Sequence, residues 1–182
     1  MKVELKNFNN DWYIPGKNPI VRILWYFINS FFLNTYFIPS SALKIFFLRL
    51  FGAKIGKSVV IQKKVSIKYP WKLVIDDYSW IGEKVWIDNL AQVTIGKNCC
   101  LSQDSLILCG NHDFKKASFD LIVKPITLKD GAWMGAKSVA CNGITMGENS
   151  ILTVGSIATS DLEANYIYQG NPAIKIKNRI TQ

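Results

Sequence analysis

Histidine occurs once in this chain, at His112. That scarcity removes the three-histidine zinc centre that could activate a water, barring a site shared on a symmetry axis. The four cysteines, Cys99, Cys100, Cys109 and Cys141, form no C-x-x-C pair. They read as reduced packing residues rather than as a metal or redox motif. There is no Gly-x-x-x-x-Gly-Lys phosphate loop and no Gly-x-Ser-x-Gly elbow. Charged residues make up only 19% of the chain against 49% hydrophobic ones, which argues against disorder. The net charge of +9 asks for an anionic partner. The basic residues are scattered without a nucleic-acid reading module, so nucleic acid is not expected. No charged-then-apolar leader with a small-residue cleavage site opens the sequence, and a cytoplasmic location is the expectation.

What is present is a six-residue grammar. Aliphatic residues open successive units at Ile55, Ile61 and Ile67, then Ile75, Ile81 and Ile87, then Ile95, Leu101 and Ile107. After a gap they resume at Leu128, Met134, Ala140, Met146, Leu152 and Ala158. In an extended segment residues two apart share a face, so the opener and the residue four places on point the same way. The position after the opener, often Gly or Asp, is suited to a corner where unusual backbone angles are tolerated. Short strands and corners at a fixed interval make stacked coils, and the pattern predicts a mainly β fold, a parallel β-helix of hexapeptide repeats. The early coils repeat every 20 residues (Ile55, Ile75, Ile95) and the late ones every 18 (Leu128, Met146), a difference of two residues at one corner.

Before the coils, residues 1–20 are polar and Asn-rich and read as a loop-like arm. A greasy run from Val21 to Ile38 has helical spacing at Ile23, Leu24, Phe27, Ile28, Phe31 and Phe32. It is too short and too interrupted for a membrane span. Pro39 ends it, Ser40 or Ser41 caps a second helix, and Gly52 stops that helix. These helices can cap the open end of the solenoid, lie on a membrane as an interfacial anchor, or do both.

Between Ile107 and Leu128 the grammar fails, so residues 109–125 must leave the prism. An excursion from a regular solenoid is the usual seat of function. It carries Gly110-Asn111-His112-Asp113, and a neutral imidazole is suited to taking a proton from a hydroxyl or an amine near neutral pH. With one base and no second histidine, the residues allow a metal-free reaction.

The repeats, the Asn-His-Asp excursion and the terminal Gly170-Asn171-Pro172-Ala173 together resemble the hexapeptide-repeat acyltransferases. Tyr69-Pro70-Trp71, Asp88-Asn89-Leu90, His112-Asp113-Phe114 and Pro125-Ile126 narrow the resemblance to the acetyltransferases of colanic acid and other exopolysaccharide biosynthesis. It covers about residues 42 to 180. It implies a left-handed coil, homotrimers with active sites between subunits, and transfer of acetyl from acetyl-coenzyme A to a sugar hydroxyl. His112 matches the general base, and Asp88, Asn111 and Asp113 fall where the acceptor binds. Asp88 stands where relatives carry an Asn, and an ionised carboxylate only accepts hydrogen bonds. Trp133, Gly135, Ala136, Val154, Gly155, Thr159 and Lys177 match coenzyme contacts. Ala136 replaces a Ser, while Ile174 and Ser160 stand where basic residues are common. Lys137, Lys175 and Arg179 are candidates to offset those losses.

The expected organisation is an arm with hydrophobic helices over 1–52, the β-helix over 53–162 with its excursion at 109–125, and a coenzyme-contacting tail over 163–182. The expected partners are acetyl-coenzyme A, a sugar acceptor that is free or lipid-linked, and two further copies of the chain, with peripheral contact to the inner membrane. Two alternatives stay open: N-acylation of an amino sugar, and a catalytically silent trimeric scaffold.

Overall fold

A computed structural model describes residues 2–180 and shows five complete coils of a parallel β-helix with a partial sixth. Each coil contributes one short strand to each of three walls. In the first coil these are Lys54–Ile55, Val60–Ile61 and Ser66–Ile67. Strands stack in parallel register, so the first wall aligns Ile55, Ile75, Ile95, Leu128 and Met146 in one column. The fifteen opener residues are all buried. Burying each Ile or Leu contributes about 1.5–3 kcal/mol, and the column leaves no polar atom to satisfy.

The corners differ from the sequence expectation. The left-handed backbone does not fall on the residue after the opener but three places after it, at Ser58 (φ 54°), Lys64 (57°), Lys84 (59°) and Lys137 (58°) among others. Each such residue costs roughly 1–2 kcal/mol. The same residues repay part of that by hydrogen bonding from coil to coil: Lys84 N donates to Lys63 O at 3.1 Å and Lys137 N to Gln103 O at 2.9 Å. Glycine after the opener answers a different need. A Cβ on Gly82 would stand 2.7 Å from Leu101 O, and one on Gly135 2.6 Å from Val154 N. The next coil's backbone approaches too closely for any side chain there.

The helices close the near end. Helix α1 (Pro19–Ile28) is capped by Asn18, whose Oδ1 accepts from Val21 N at 2.9 Å, and it runs into a π-helical turn at Asn29–Leu33. It starts earlier and stops sooner than the greasy run suggests, and just beyond it Thr35 O accepts from Lys64 N on the first coil at 3.2 Å. Helix α2 (Ser41–Leu50) is capped by Ser40. Together they satisfy the coil's unpaired edge. Trp25 Nε1 donates to Ile67 O at 2.9 Å, Asn29 Oδ1 accepts from Ile67 N at 3.1 Å, and Ser41 Oγ accepts from Ile61 N at 2.9 Å. Lys44, wholly buried, donates to Gln62 O at 2.7 Å, and burial pushes its ammonium pKa down. The capping role of the helices is therefore met residue by residue.

At the far end the repeat does not simply stop after Leu162. Tyr166–Gly170 adds a parallel strand to the second wall, and Ala173–Asn178 folds back antiparallel on it. Arg179 then pins this hairpin by donating to Gly131 O at 2.9 Å. Gly82→Ala should lower unfolding free energy by about 1–3 kcal/mol through overpacking between coils, measured by urea denaturation.

Candidate active site

The excursion is an antiparallel hairpin, Gly110–His112 against Leu121–Val123, with His112 opposite Leu121. It leaves the corner between the third and first walls. That corner is the long one in the early coils, where Tyr69-Pro70-Trp71 and Asn89-Leu90-Ala91 sit. The buried Asn89 holds it in shape, accepting from Tyr69 N at 2.9 Å and donating to Tyr69 O at 2.6 Å. Gly110 lets the hairpin rise close to the previous coil, since a Cβ there would meet Leu90 Cδ1 at 2.7 Å.

Between hairpin and corner lies a cleft of about 890 Å³, whose lining includes Tyr13, Arg22, Lys68, Asp88, Asn111 and His112. His112 Nδ1 is 2.9 Å from Phe119 O. A carbonyl can only accept, so Nδ1 carries the proton and the neutral ring keeps its lone pair on Nε2. The ring is clamped, stacked on Phe119 with centroids 4.3 Å apart and flanked by Phe8 at 5.6 Å. Asn111 Oδ1 accepts from His112 N at 2.8 Å and steadies the same strand.

Asp88 is 7% exposed, and Lys68 Nζ lies 2.9 Å from its Oδ1. The contact is an ion pair that engages the buried Oδ1. Arg22 Nε, from α1, is also buried without a hydrogen-bond partner. Asp113 does not join the cleft lining: its Oδ1 accepts from Lys115 N at 3.1 Å inside the hairpin tip.

The arm forms the opposite wall of the cleft. Tyr13 OH donates to Leu90 O at 2.6 Å and accepts from Lys72 Nζ at 3.1 Å, Trp71 Nε1 donates to Pro15 O at 2.7 Å, and Glu4 N donates to Ala117 O at 2.8 Å on the hairpin tip. Burial, with the nearby Tyr69 and Asp88, pushes the Tyr13 phenol pKa up, and burial draws the Lys72 ammonium pKa down. From sequence the arm before Ile20 is expected to bear on acceptor selection, with no residue of it singled out. Its one legible signal is Phe8, Trp12 and Tyr13 within a polar stretch, since a merely solvated arm has no use for three aromatic rings.

The expected coenzyme residues fall elsewhere. Gly135, Ala136, Val154 and Gly155 occupy the corner between the second and third walls, not the corner of His112. That corner is open: Val154 is 70% exposed, and nothing lies within 4 Å of where a Gly155 Cβ would stand. Trp133 lines a separate cleft of about 450 Å³ with Tyr78, Trp80 and Arg179, its Nε1 donating to Ser102 Oγ at 2.9 Å. Thr159 is exposed on the His112 corner two coils on, and Lys177 lies in the terminal hairpin opposite Ile167. Of the candidate compensating cations, Lys175 is held by Glu163 at 2.7 Å and lies over the Tyr166 ring, and Arg179 is engaged by Gly131 O and Asn149 O. Lys137 stands exposed at its corner.

The stacked hexapeptide coils are the fold of solved hexapeptide-repeat acetyltransferases. A Vibrio cholerae member solved with acetyl-coenzyme A superposes with a TM-score of 0.82 at 19% identity, covering 97% of this chain and 96% of that one. Galactoside acetyltransferase in complex with coenzyme A gives 0.77 at 21% identity, covering 89% and 82%. In sequence, the acetyltransferase WcaF of Escherichia coli K12, assigned to colanic acid biosynthesis, is 35% identical over 181 residues, 97% of each chain. Galactoside O-acetyltransferase of the same organism is 27% identical over 129 residues, 69% of this chain and 63% of that one. No family model matches the sequence. The chain belongs to the WcaF family of hexapeptide-repeat acetyltransferases.

Tyr13→Phe should loosen the arm by about 1 kcal/mol, the worth of a typical hydrogen bond. Hydrogen exchange of the backbone amides around residues 5–16 would then quicken several-fold while the coils stay protected.

Proposed function

We propose that this protein is an acetyl-coenzyme A-dependent O-acetyltransferase acting on a sugar hydroxyl of a surface polysaccharide or its precursor, with His112 as general base and direct transfer without metal. The observation that carries the reading is the bond from His112 Nδ1–H to Phe119 O, which leaves Nε2 as the ring's proton acceptor in a cleft sized for a saccharide. The family's relation to a colanic acid acetyltransferase supports the acceptor class, and the coenzyme-bound structural relatives support the donor.

The acceptor hydroxyl donates to Nε2. As its oxygen bonds to the thioester carbonyl carbon, its proton passes to the imidazole. A backbone N–H on a coil edge meets the oxyanion. Collapse breaks the C–S bond, and the imidazolium returns the proton to the departing thiolate, giving acetylated sugar and coenzyme A. Phe119 O stabilises the imidazolium throughout. Asp88 accepts from a second acceptor hydroxyl.

The pantetheine chain lies along Gly135, Ala136, Val154 and Gly155, beside Trp133, with Lys177 and Lys137 toward the phosphates. Because His112 and that groove occupy different corners of one prism, a complete site forms between two copies of a homotrimer. The outward Trp80, Trp86 and Trp133 give such copies an apolar surface to share. Acetyl-coenzyme A is a cytoplasmic metabolite, and the enzyme works in that compartment.

His112→Ala should lower kcat by roughly 10²–10⁴ while coenzyme A still raises Tm. Unchanged turnover would sink the assignment. Ala136→Trp should block the donor groove, yet mixing it with His112→Ala chains under conditions that let subunits exchange should restore a measurable fraction of activity. No restoration would show that the site is not shared between copies.

A further inference from the structure

The near end of the solenoid carries a surface that acetyl transfer does not use. Helix α1 and the turn after it are apolar on both sides. The inward side, with Trp25, Ile28, Phe32 and Leu33, packs on the core. The outward side repeats at helical spacing, with Ile20 77%, Leu24 53%, Phe27 50% and Phe31 66% exposed. The Phe27 and Phe31 rings lie nearly parallel, 6.5 Å apart, and Phe37 beyond them is 94% exposed. Helix α2 adds the exposed Phe46 and Leu50. An apolar groove of about 520 Å³ runs between the helices, with Lys17 on its rim. A helix that is apolar all round belongs in a large core or against another apolar phase, and a patch of this kind on a soluble surface marks an interface.

Charge decides the occupant. Ten lysines and arginines precede residue 65 against only two carboxylates, Glu4 and Asp11, so eight of the nine net positive charges belong to this third of the chain. Lys44 and Arg49 are engaged by first-coil carbonyls. Lys17 and Lys57 stay exposed beside the apolar grooves of this end. A second copy presenting the same end would bring the same positive charge and be repelled, whereas an anionic bilayer is attracted and also takes up the rings. Among the described residues no helix is long and apolar enough to cross a membrane, so the geometry is that of lying on one.

We propose that α1 and α2 dock this end of the chain on an anionic lipid surface, with Phe27, Phe31 and Leu24 among the acyl chains and Lys17 and Lys57 against the phosphates. The same helix reaches the reaction cleft. Arg22, on the opposite side of α1 from Leu24, Phe27 and Phe31, lines the cleft with Asp88 and His112, so the docking face and the cleft are separated by the thickness of one helix.

The test is flotation of the full chain with vesicles of phosphatidylcholine alone and of phosphatidylcholine mixed with phosphatidylglycerol. The chain should float with the mixed vesicles, bind about tenfold more weakly or worse to phosphatidylcholine alone, and be released as salt rises. Phe27→Glu combined with Phe31→Glu should abolish flotation while near-UV circular dichroism and Tm stay at their native values. Lys17→Glu combined with Lys57→Glu, a pair outside the hydrophobic core, should weaken it at least several-fold. These readouts do not depend on catalysis, so a failure of the acetyl-transfer reading would leave them standing. Absence of flotation, binding that ignores lipid charge, or binding unchanged by both pairs overturns the proposal. So does a fall in oligomer mass by light scattering in the phenylalanine pair, because the face would then belong to a second copy.

Discussion

Everything in this molecule depends on one constraint: neighbouring coils must stack backbone to backbone at strand spacing, with their aliphatic openers in register. The column Ile55, Ile75, Ile95, Leu128 and Met146 is the visible result. Glycines such as Gly82 and Gly135 are its requirement, because the approaching coil leaves no room for a Cβ. The left-handed corner residues are its cost, offset in part by the coil-to-coil bonds they make. A solenoid built this way has two raw ends, and the chain closes each differently. The near end is covered by helices that donate to, and accept from, the first coil's edge. The far end is covered by a hairpin pinned through Arg179.

Such a rigid stack cannot itself close around a substrate, so the groups that form the cleft are carried on additions to it. The hairpin raises His112 and fixes its tautomer through Phe119, with the ring held between two aromatic side chains. The arm crosses from the hairpin tip to the long corner and supplies the facing wall. Asp88, by contrast, belongs to a coil and inherits that coil's precision. Gly135, Ala136, Val154 and Gly155 lie on another corner of the prism, away from His112.

The coils and the excursion that carries His112 were legible because each is written in local spacing: a six-residue period and a gap in it. The family resemblance then supplied candidates for the donor side. What was not legible depends on contacts between distant residues. Tyr13 meets Leu90 and Lys72 across more than fifty positions, and no local pattern announces that the arm folds over the cleft. Asp113 adjoins His112 in sequence, yet it lies past the end of the strand and its carboxylate serves the hairpin turn, accepting from Lys115 N. The corner glycines were expected to supply unusual torsions, and the real demand proved to be clearance for the next coil. The terminal hairpin escaped because Tyr166–Gly170 joins the second wall without keeping the six-residue spacing.

The change of repeat from 20 to 18 residues has a consequence of its own. The two additional residues sit outside the buried column, at the one corner that borders the cleft, so lengthening or shortening the chain there leaves every opener in place. Fit to a ligand and resistance to unfolding are thereby decoupled in this architecture. New acceptor preferences can arise by adding or trimming residues at that edge, with no repacking of the interior to accompany them.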